Sequence, residues 1–391
     1  LESYCSCFAA GTLILTENGL MKIEDVYNSS IPVKLISYNQ EKQTFEAKSI
    51  TEKSVRNTIA NKYSVSQTRR RLENTITCTP DHPFATYENG GLTYQSIEEI
   101  LTKKSGVIVP TQMNLPSNLT IEDQDHNFYY LLGVILSDGT IHHKQRTNAP
   151  EPEKRSRQGK YDQHYVRFFQ SVHPDKKSFV DYVETLLRNY TNYVSVRVSP
   201  PRKVNIKGRE IQGNGLVEIT ASDADFVNKI ESILPNLGNI LLTNPFLALH
   251  FLAGYLDGDG SFHQNLISIS LGKIDMFSPV ICALLCLGVA YLVYRNRNNY
   301  IIEFRDNIVM SKLREICHRL KINEPPQRLY SDKLVLASAM TGGVVKCDDL
   351  TTMAKQGKMV NVSKLEGGNL DQSLAMNRVF YIETMGEVPV Y

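Results

Sequence analysis

Leu131-Leu132-Gly133-Val134-Ile135-Leu136-Ser137-Asp138-Gly139 and Leu252-Ala253-Gly254-Tyr255-Leu256-Asp257-Gly258-Asp259-Gly260 are two versions of one pattern. Each is an apolar run with a small residue near its centre, closed by an acidic residue and a glycine. Each sits in an apolar helical stretch, residues 127–138 and 245–259. Gly133 and the Ala253-Gly254 pair remove side-chain bulk, so two such helices can bring their backbones close together. The surroundings repeat as well. Strand-like residues 165–169 and 266–270 come next, then helix candidates 174–190 and 273–287. Strands 194–198 and 290–294, followed by 216–220 and 300–305, lead to closing helices 224–234 and 310–320. The order αββαββα is read twice.

At 391 residues the chain is long for one average domain and suits two. Hydrophobic content of 42% with 21% charged residues excludes a disordered chain. The net charge of +2 is uninformative, but between Lys144 and Arg209 fifteen Lys and Arg stand against six Asp and Glu. Seven cysteines form no CxxC pair and have no histidine at zinc spacing, which argues against a disulfide framework or structural zinc. A reducing, intracellular setting, cytoplasmic or nuclear, is expected, and no signal-peptide pattern is read at the start. The uncharged run 276–294 has the length of a membrane span. Pro279 and Gly288 interrupt it and the repeat accounts for it, so no membrane association is expected.

Before residue 110 the texture changes to short β-prone runs and turns. Thr12-Leu13-Ile14-Leu15 is followed by the turn Glu17-Asn18-Gly19, and Leu20-Met21-Lys22-Ile23 runs into an acidic corner at 23–26. An all-β domain is expected here. A polar stretch at 114–125 marks a boundary, residues 341–371 read as a return linker, and 378–383 and 388–391 look strand-rich. The expected division is 7–115 with 372–391, then 120–340, joined by 341–371.

Cys7-Phe8-Ala9-Ala10-Gly11-Thr12 and Thr79-Pro80-Asp81-His82-Pro83-Phe84 resemble the two N-terminal signature blocks of inteins. The two nonapeptides at 131–139 and 252–260 resemble the LAGLIDADG motif of homing endonucleases, and the nesting matches intein-borne nucleases. The resemblance implies a multidomain fold: an all-β Hedgehog/intein (HINT) splicing domain, discontinuous in sequence, carrying an α+β LAGLIDADG endonuclease with two αββαββα pseudo-repeats.

For splicing, the resemblance assigns Cys7 as the nucleophile on the Ser6 carbonyl, and thiolates suit that task near neutral pH. His82 would protonate the departing nitrogen, Thr79 would hold the scissile bond, and Asp81 would tune His82. No cofactor is implied for this step. Leu1–Ser6 would belong to a host protein flank. The sequence stops at Tyr391 without a His-Asn pair, which implies a truncated or split element whose C-terminal intein fragment acts in trans.

For the nuclease, the resemblance brings Asp138 and Asp259 together over a double-stranded DNA target, where their hard oxygens would bind Mg²⁺. Asp257 also matches the motif but is assigned to capping or packing. Lys229 and Lys321 are candidates for the accessory lysine that family members carry near the metals. Phosphate and base contacts are expected from Arg146, Lys154, Arg155, Arg157, Arg167, Arg202, Lys203 and Lys207. The chain is expected to act as a monomer. Two alternatives fit the same residues: a splicing-only or DNA-binding element with an inactive nuclease, and a free-standing homing endonuclease with a degenerate splicing domain.

Overall fold

The computed structural model of the protein describes residues 7–42, 44–66, 75–88, 91–103, 105–110, 125–144, 163–201, 203–206, 209–212, 214–263, 266–271, 277–289, 291–296, 299–304, 306–318, 360–361 and 374–391. It is a mixed α/β fold with several antiparallel sheets.

The first part holds β1 (Leu13–Thr16), β2 (Gly19–Lys22), α1 (Ile23–Asn28), β3 (Lys34–Asn39) and β4 (Thr44–Ser49). Then come β5 (Arg56–Ser66), β6 (Thr75–Cys78), β7 (Pro83–Glu88), β8 (Gly91–Ser96), α2 (Ile97–Lys103) and β9 (Gly106–Pro110). The expectation of an all-β region needs correcting. The acidic corner folds as α1, with Glu24 and Asp25 in its first turn, where carboxylates favour the helix N-terminus. A second short helix, α2, opens in the same way with Glu98 and Glu99.

The middle part begins with α3 (His126–Asp138), β10 (Gly139–Lys144), β11 (Gln163–Ser171) and α4 (Lys177–Tyr190). It continues with β12 (Val194–Ser199), β13 (Lys203–Ile206), β14 (Arg209–Gln212), β15 (Leu216–Ala221) and α5 (Ala224–Ile233). After α6 (Leu237–Thr243) the pattern returns as α7 (Pro245–Asp259), β16 (Gly260–His263), β17 (Leu266–Leu271) and α8 (Phe277–Cys286). β18 (Tyr291–Asn296), β19 (Asn299–Phe304) and α9 (Asn307–Ile316) complete it. The two sheets have matching orders, β10-β11-β15-β12 and β16-β17-β19-β18. The read order αββαββα appears twice, with the β13–β14 ribbon added to the first copy and α6 between the copies. Run 276–294 folds as α8 and β18, and among the described residues no single helix is long and apolar enough to cross a membrane.

α3 and α7 form the centre of this part. Their side chains are buried on nearly all sides, from Phe128 to Ile135 and from Leu247 to Gly258, as in a helix enclosed by other elements. Asp125 caps the amide of Phe128, and Asn244 caps those of Phe246 and Leu247, with Pro245 in the first turn. Glycine is required where the helices cross. A Cβ on Gly133 would stand 2.2 Å from the Phe251 carbonyl oxygen, and one on Gly254 would stand 1.9 Å from that of Tyr130.

Of the return segment 341–371, only β20 (Val360–Asn361) lies within the described residues. The two strand-rich stretches expected at the C-terminal end are one strand, β21 (Leu374–Val390), which pairs antiparallel with β5 and β9. Two register irregularities bend it, with Gly386 at φ 73°. Its end meets the start of the described chain. Phe8 and Tyr391 exchange backbone hydrogen bonds of 3.1 and 2.8 Å, and Ala9 bridges Val390. The turn between β1 and β2 rests on α6 and α8, where the Leu20 amide donates to Ser278 Oγ at 2.7 Å.

Gly254→Ala should lower unfolding free energy by about 2 kcal/mol or more, since backbone cannot yield to the new methyl as a side chain can. Gly91→Ala, whose Cβ would meet nothing within 4 Å, should change it by less than about 0.5 kcal/mol. Chemical-denaturation midpoints of the two variants test the difference.

Candidate functional site

The close approach of α3 and α7 carries their C-terminal ends together. A Cβ on Gly258 would lie 1.8 Å from Ser137 Oγ and 3.5 Å from Asp138 Oδ2, so one helix end touches the other. Asp138 is half-buried and Asp259 exposed. The buried Tyr255, one turn before Asp259 on α7, has its phenol pushed up in pKa by burial and then by the charges of Asp259 and Asp138. One side chain therefore feels both carboxylates.

Gln170, on β11, donates from Nε2 to Asp138 Oδ2 at 2.8 Å. Its Oε1 accepts from the Lys176 ammonium and from the Ser171 amide. These donors fix which way the amide faces. Neither Gln170 nor Lys176 was singled out from the sequence, because a glutamine inside a strand carries no motif. The signal lay in the strand period, which puts a polar residue on a face otherwise filled by Val166 and Phe168.

Asp257 is fully buried and serves the packing, accepting from Tyr130 Oη and from the His318 amide at 2.6 Å each. Lys229 does not fill the accessory role considered for it. Its ammonium sits 4.4 Å from the Phe128 ring centroid, near the N-terminal end of α3, and Asp138 lies ten residues on, roughly 15 Å along the helix. Lys321 lies outside the described residues.

The solvent face of the first sheet carries Tyr165, Arg167 and Phe169 from β11, Glu218 and Thr220 from β15, and Arg197 from β12. Arg167 pairs with Glu218 at 3.0 Å and lies over the rings of Tyr165 and Phe169. A cavity of about 450 Å³ opens beside it, lined by His164, Tyr165, Arg167, Thr220, Ser222, Asp223 and Ala224. Lys203 lies in the β13–β14 ribbon. Arg146, Lys154, Arg155, Arg157, Arg202 and Lys207 are outside the described residues.

A second group of candidates meets elsewhere. Cys7 is buried against Ala60 and Val390. Its amide, the nitrogen of the 6–7 peptide bond, donates to Thr79 Oγ1 at 3.1 Å, and the Thr79 amide returns a bond to the Cys7 carbonyl at 3.0 Å. His82 follows in the same turn, its amide bonded to the Thr79 carbonyl at 3.1 Å. The imidazole lies 3.9 Å from the Phe8 ring and 5.0 Å from that of Phe84. Burial pushes its pKa down to about 4, with the charge of Asp81 opposing. Cys78 stands beside this turn with its thiol pushed up to about 12, first by burial and then by the charge of Asp81, which disfavours the reactive thiolate.

No family model matches the chain. Among curated proteins, it is 25% identical over 388 residues to the probable phosphoenolpyruvate synthase of Methanocaldococcus jannaschii, covering 93% of this chain and 29% of that one. The chain thus spans under a third of the length of that relative. Among solved structures, it is similar to mesophilic variants of the homing endonuclease I-DmoI, with 15% identity over 51% of this chain and 98% of the other and a TM-score of 0.36. I-DmoI in complex with DNA and Ca gives 16% identity over 51% and 93%, with a TM-score of 0.36. Full-length WhiA from Thermatoga maritima gives 14% over 52% and 59%, with a TM-score of 0.32. These are likenesses of shape to LAGLIDADG proteins over about half the chain.

His82 has a consequence for stability. Its pKa falls from 6.5 to about 4 on folding, so between those values the unfolded chain binds more protons and acidification favours unfolding. Stability should therefore be full above about pH 6.5 and decline toward pH 4. Denaturation midpoints for His82→Phe should show a weaker decline across that window.

Proposed function

We propose that the chain is a metal-dependent DNA endonuclease joined to a self-splicing intein domain. The observation that supports the nuclease reading best is the touching of the C-terminal ends of α3 and α7, which carry Asp138 and Asp259. Two exposed or half-exposed carboxylates suit a hard cation such as Mg²⁺, which protein sites commonly hold through one or two carboxylates and substrate phosphates. Bound there, the ion would activate water and neutralise charge on the leaving oxygen.

The protein's own groups do the positioning. Gln170 orients the Asp138 carboxylate, and Arg167 and Arg197 place positive charge on the sheet face that would lie along the duplex. The rings of Tyr165 and Phe169 and the carboxylate of Glu218 hold the Arg167 guanidinium in place on that face.

The splicing reading rests on Cys7, Thr79 and His82. Cys7 Sγ would attack the Ser6 carbonyl carbon; a C–S bond forms, the Ser6–Cys7 C–N bond breaks, and the thiol proton ends on the freed nitrogen. Thr79 Oγ1 already accepts from that nitrogen's N–H, which would hold the scissile bond in place beside the thiol. His82, neutral at pH 7, can take the thiol proton and return it to nitrogen.

Asp138→Asn should abolish double-strand cleavage in Mg²⁺ while leaving thiol-induced release of residues 1–6 at the wild-type rate. Gel analysis of DNA and mass spectrometry of protein read the two separately. Retained cutting of both strands would remove the two-carboxylate model.

Cys7→Ala should stop the release of residues 1–6 by thiols, and His82→Ala should slow it by about a hundredfold, the scale for a lost general acid or base. Release by the wild type should also fall as pH drops toward 4 and His82 becomes protonated. Unchanged release from the Cys7 variant would refute the thioester assignment.

A further inference from the structure

The contact between α3 and α7 has a second end, away from the carboxylates. His126 lies seven residues before Gly133 and His250 four before Gly254, close to whole turns in each case, so both fall on the faces that the glycines press together. There the two imidazoles meet, with ring centroids 4.6 Å apart and planes tilted by 51°. Phe246 packs on both rings, at 5.5 Å from that of His126 and 4.7 Å from that of His250, and is itself 51% exposed. Both histidines are half-buried, and neither imidazole makes a hydrogen bond among the described residues.

This spacing suits an ion between the rings. A cation held by two imidazole nitrogens at about 2.0–2.1 Å, at a tetrahedral angle, would put the ring centroids roughly 5 Å apart. Small side-chain rotations span the difference. Burial pushes the His250 imidazole down to about 4, with the charge of His126 acting in the same sense. It is neutral at pH 7 and can offer a lone pair without first losing a proton. The two ends of the helix pair differ in the cation they select: carboxylate oxygens at Asp138 and Asp259 suit a hard ion, whereas imidazoles suit Zn²⁺, Ni²⁺ and Cu²⁺. Asp138 is twelve residues beyond His126, roughly 18 Å along α3, which keeps the two places separate.

We propose that His126 and His250 form a binding site for a late first-row divalent cation, which bridges α3 and α7 and keeps water in its remaining positions. Asp125 does not complete the shell, because its carboxylate is taken by the Phe128 amide and the Tyr190 hydroxyl. Phe246 holds both rings from the side and supplies no ligand atom. The ion pins the N-terminal ends of the two helices together, as the glycines pin their centres. Neither histidine belongs to the nuclease or splicing groups described above.

The test is calorimetric titration of the full chain with Ni²⁺, in excess Mg²⁺ to occupy the carboxylates. His126→Phe and His250→Phe, which keep a ring against Phe246, should each weaken Ni²⁺ binding at least about tenfold, because a second imidazole on the same scaffold adds its bond to the ion intramolecularly. The double variant should bind no more weakly than either single one, since losing one ligand already breaks the bridge. Saturating Ni²⁺ should also raise the thermal unfolding midpoint of the wild type and leave those of the two variants unmoved, as an ion bound only by the folded pair requires. Should a variant fail to fold, Cu²⁺ bound to the wild type gives a second reading, and its electron paramagnetic resonance should show two imidazole nitrogens. Absence of Ni²⁺ binding by the wild type, binding that both variants leave intact, losses that add as for independent histidines, or a Cu²⁺ spectrum with a single imidazole would each overturn the proposal.

Discussion

Everything in the middle part of this protein depends on backbone meeting backbone at Gly133 and Gly254. With a side chain at either place, α3 and α7 would have to separate, because the atoms in the way are main-chain carbonyls. Their closeness has two effects at once. It buries both helices nearly all round, which removes a large apolar area from water. It also sets Asp138 and Asp259 next to each other, an arrangement that like charges oppose and that burial of the rest of the helices makes affordable. Packing energy and the candidate chemistry thus come from the same contact.

The two repeats share topology but have divided the work around that contact. Asp257 in α7 is fully buried and tied to Tyr130 of α3 and to the His318 amide. The corresponding place in the first motif is Leu136, which packs against the core. A buried carboxylate costs desolvation unless its lone pairs are met, and two donors at 2.6 Å meet them here. The second repeat therefore supplies a polar clamp between the helices and to the segment after α9, while the first supplies Gln170 at the half-buried Asp138 carboxylate. A strict twofold would have had to use one residue type for both tasks.

Much of this was legible in the sequence, and the gaps have physical causes. Helices 126–138 and 245–259 were evident because glycine and a terminal acid punctuate an unbroken apolar run, and the strands of each repeat followed from β-branched residues. Helix α1 was missed because Ile23-Glu24-Asp25-Val26 is too short for helical periodicity to show; its start is marked only by two acids. Gln170 was missed because its meaning depends on a partner brought near by pairing of β10 with β11. Lys229 was misplaced since its position after a repeat element says nothing about which end of α3 it faces, and the rings of Phe128 and Tyr190 offer its ammonium a site at the wrong end. Motifs report local geometry; which side chains meet across elements is set by register.

The first part shows the same dependence on register at longer range. Cys7 is held by Thr79 from one side and by the end of β21 from the other, so the two ends of a long stretch of chain, Thr79 and Val390, enclose it. Between those ends the chain passes through the two repeats. The β1–β2 turn rests on α6 and α8, with Gly19 at φ 103° and its Cα close to Gly238. Phe45, Tyr87 and Leu92 join the same apolar cluster as α3 and α7. Strands β5, β9 and β21 can pair only if the intervening residues return the chain to where it left. The middle part's apolar contact with the first part adds burial that a tethered, undocked insertion would lack.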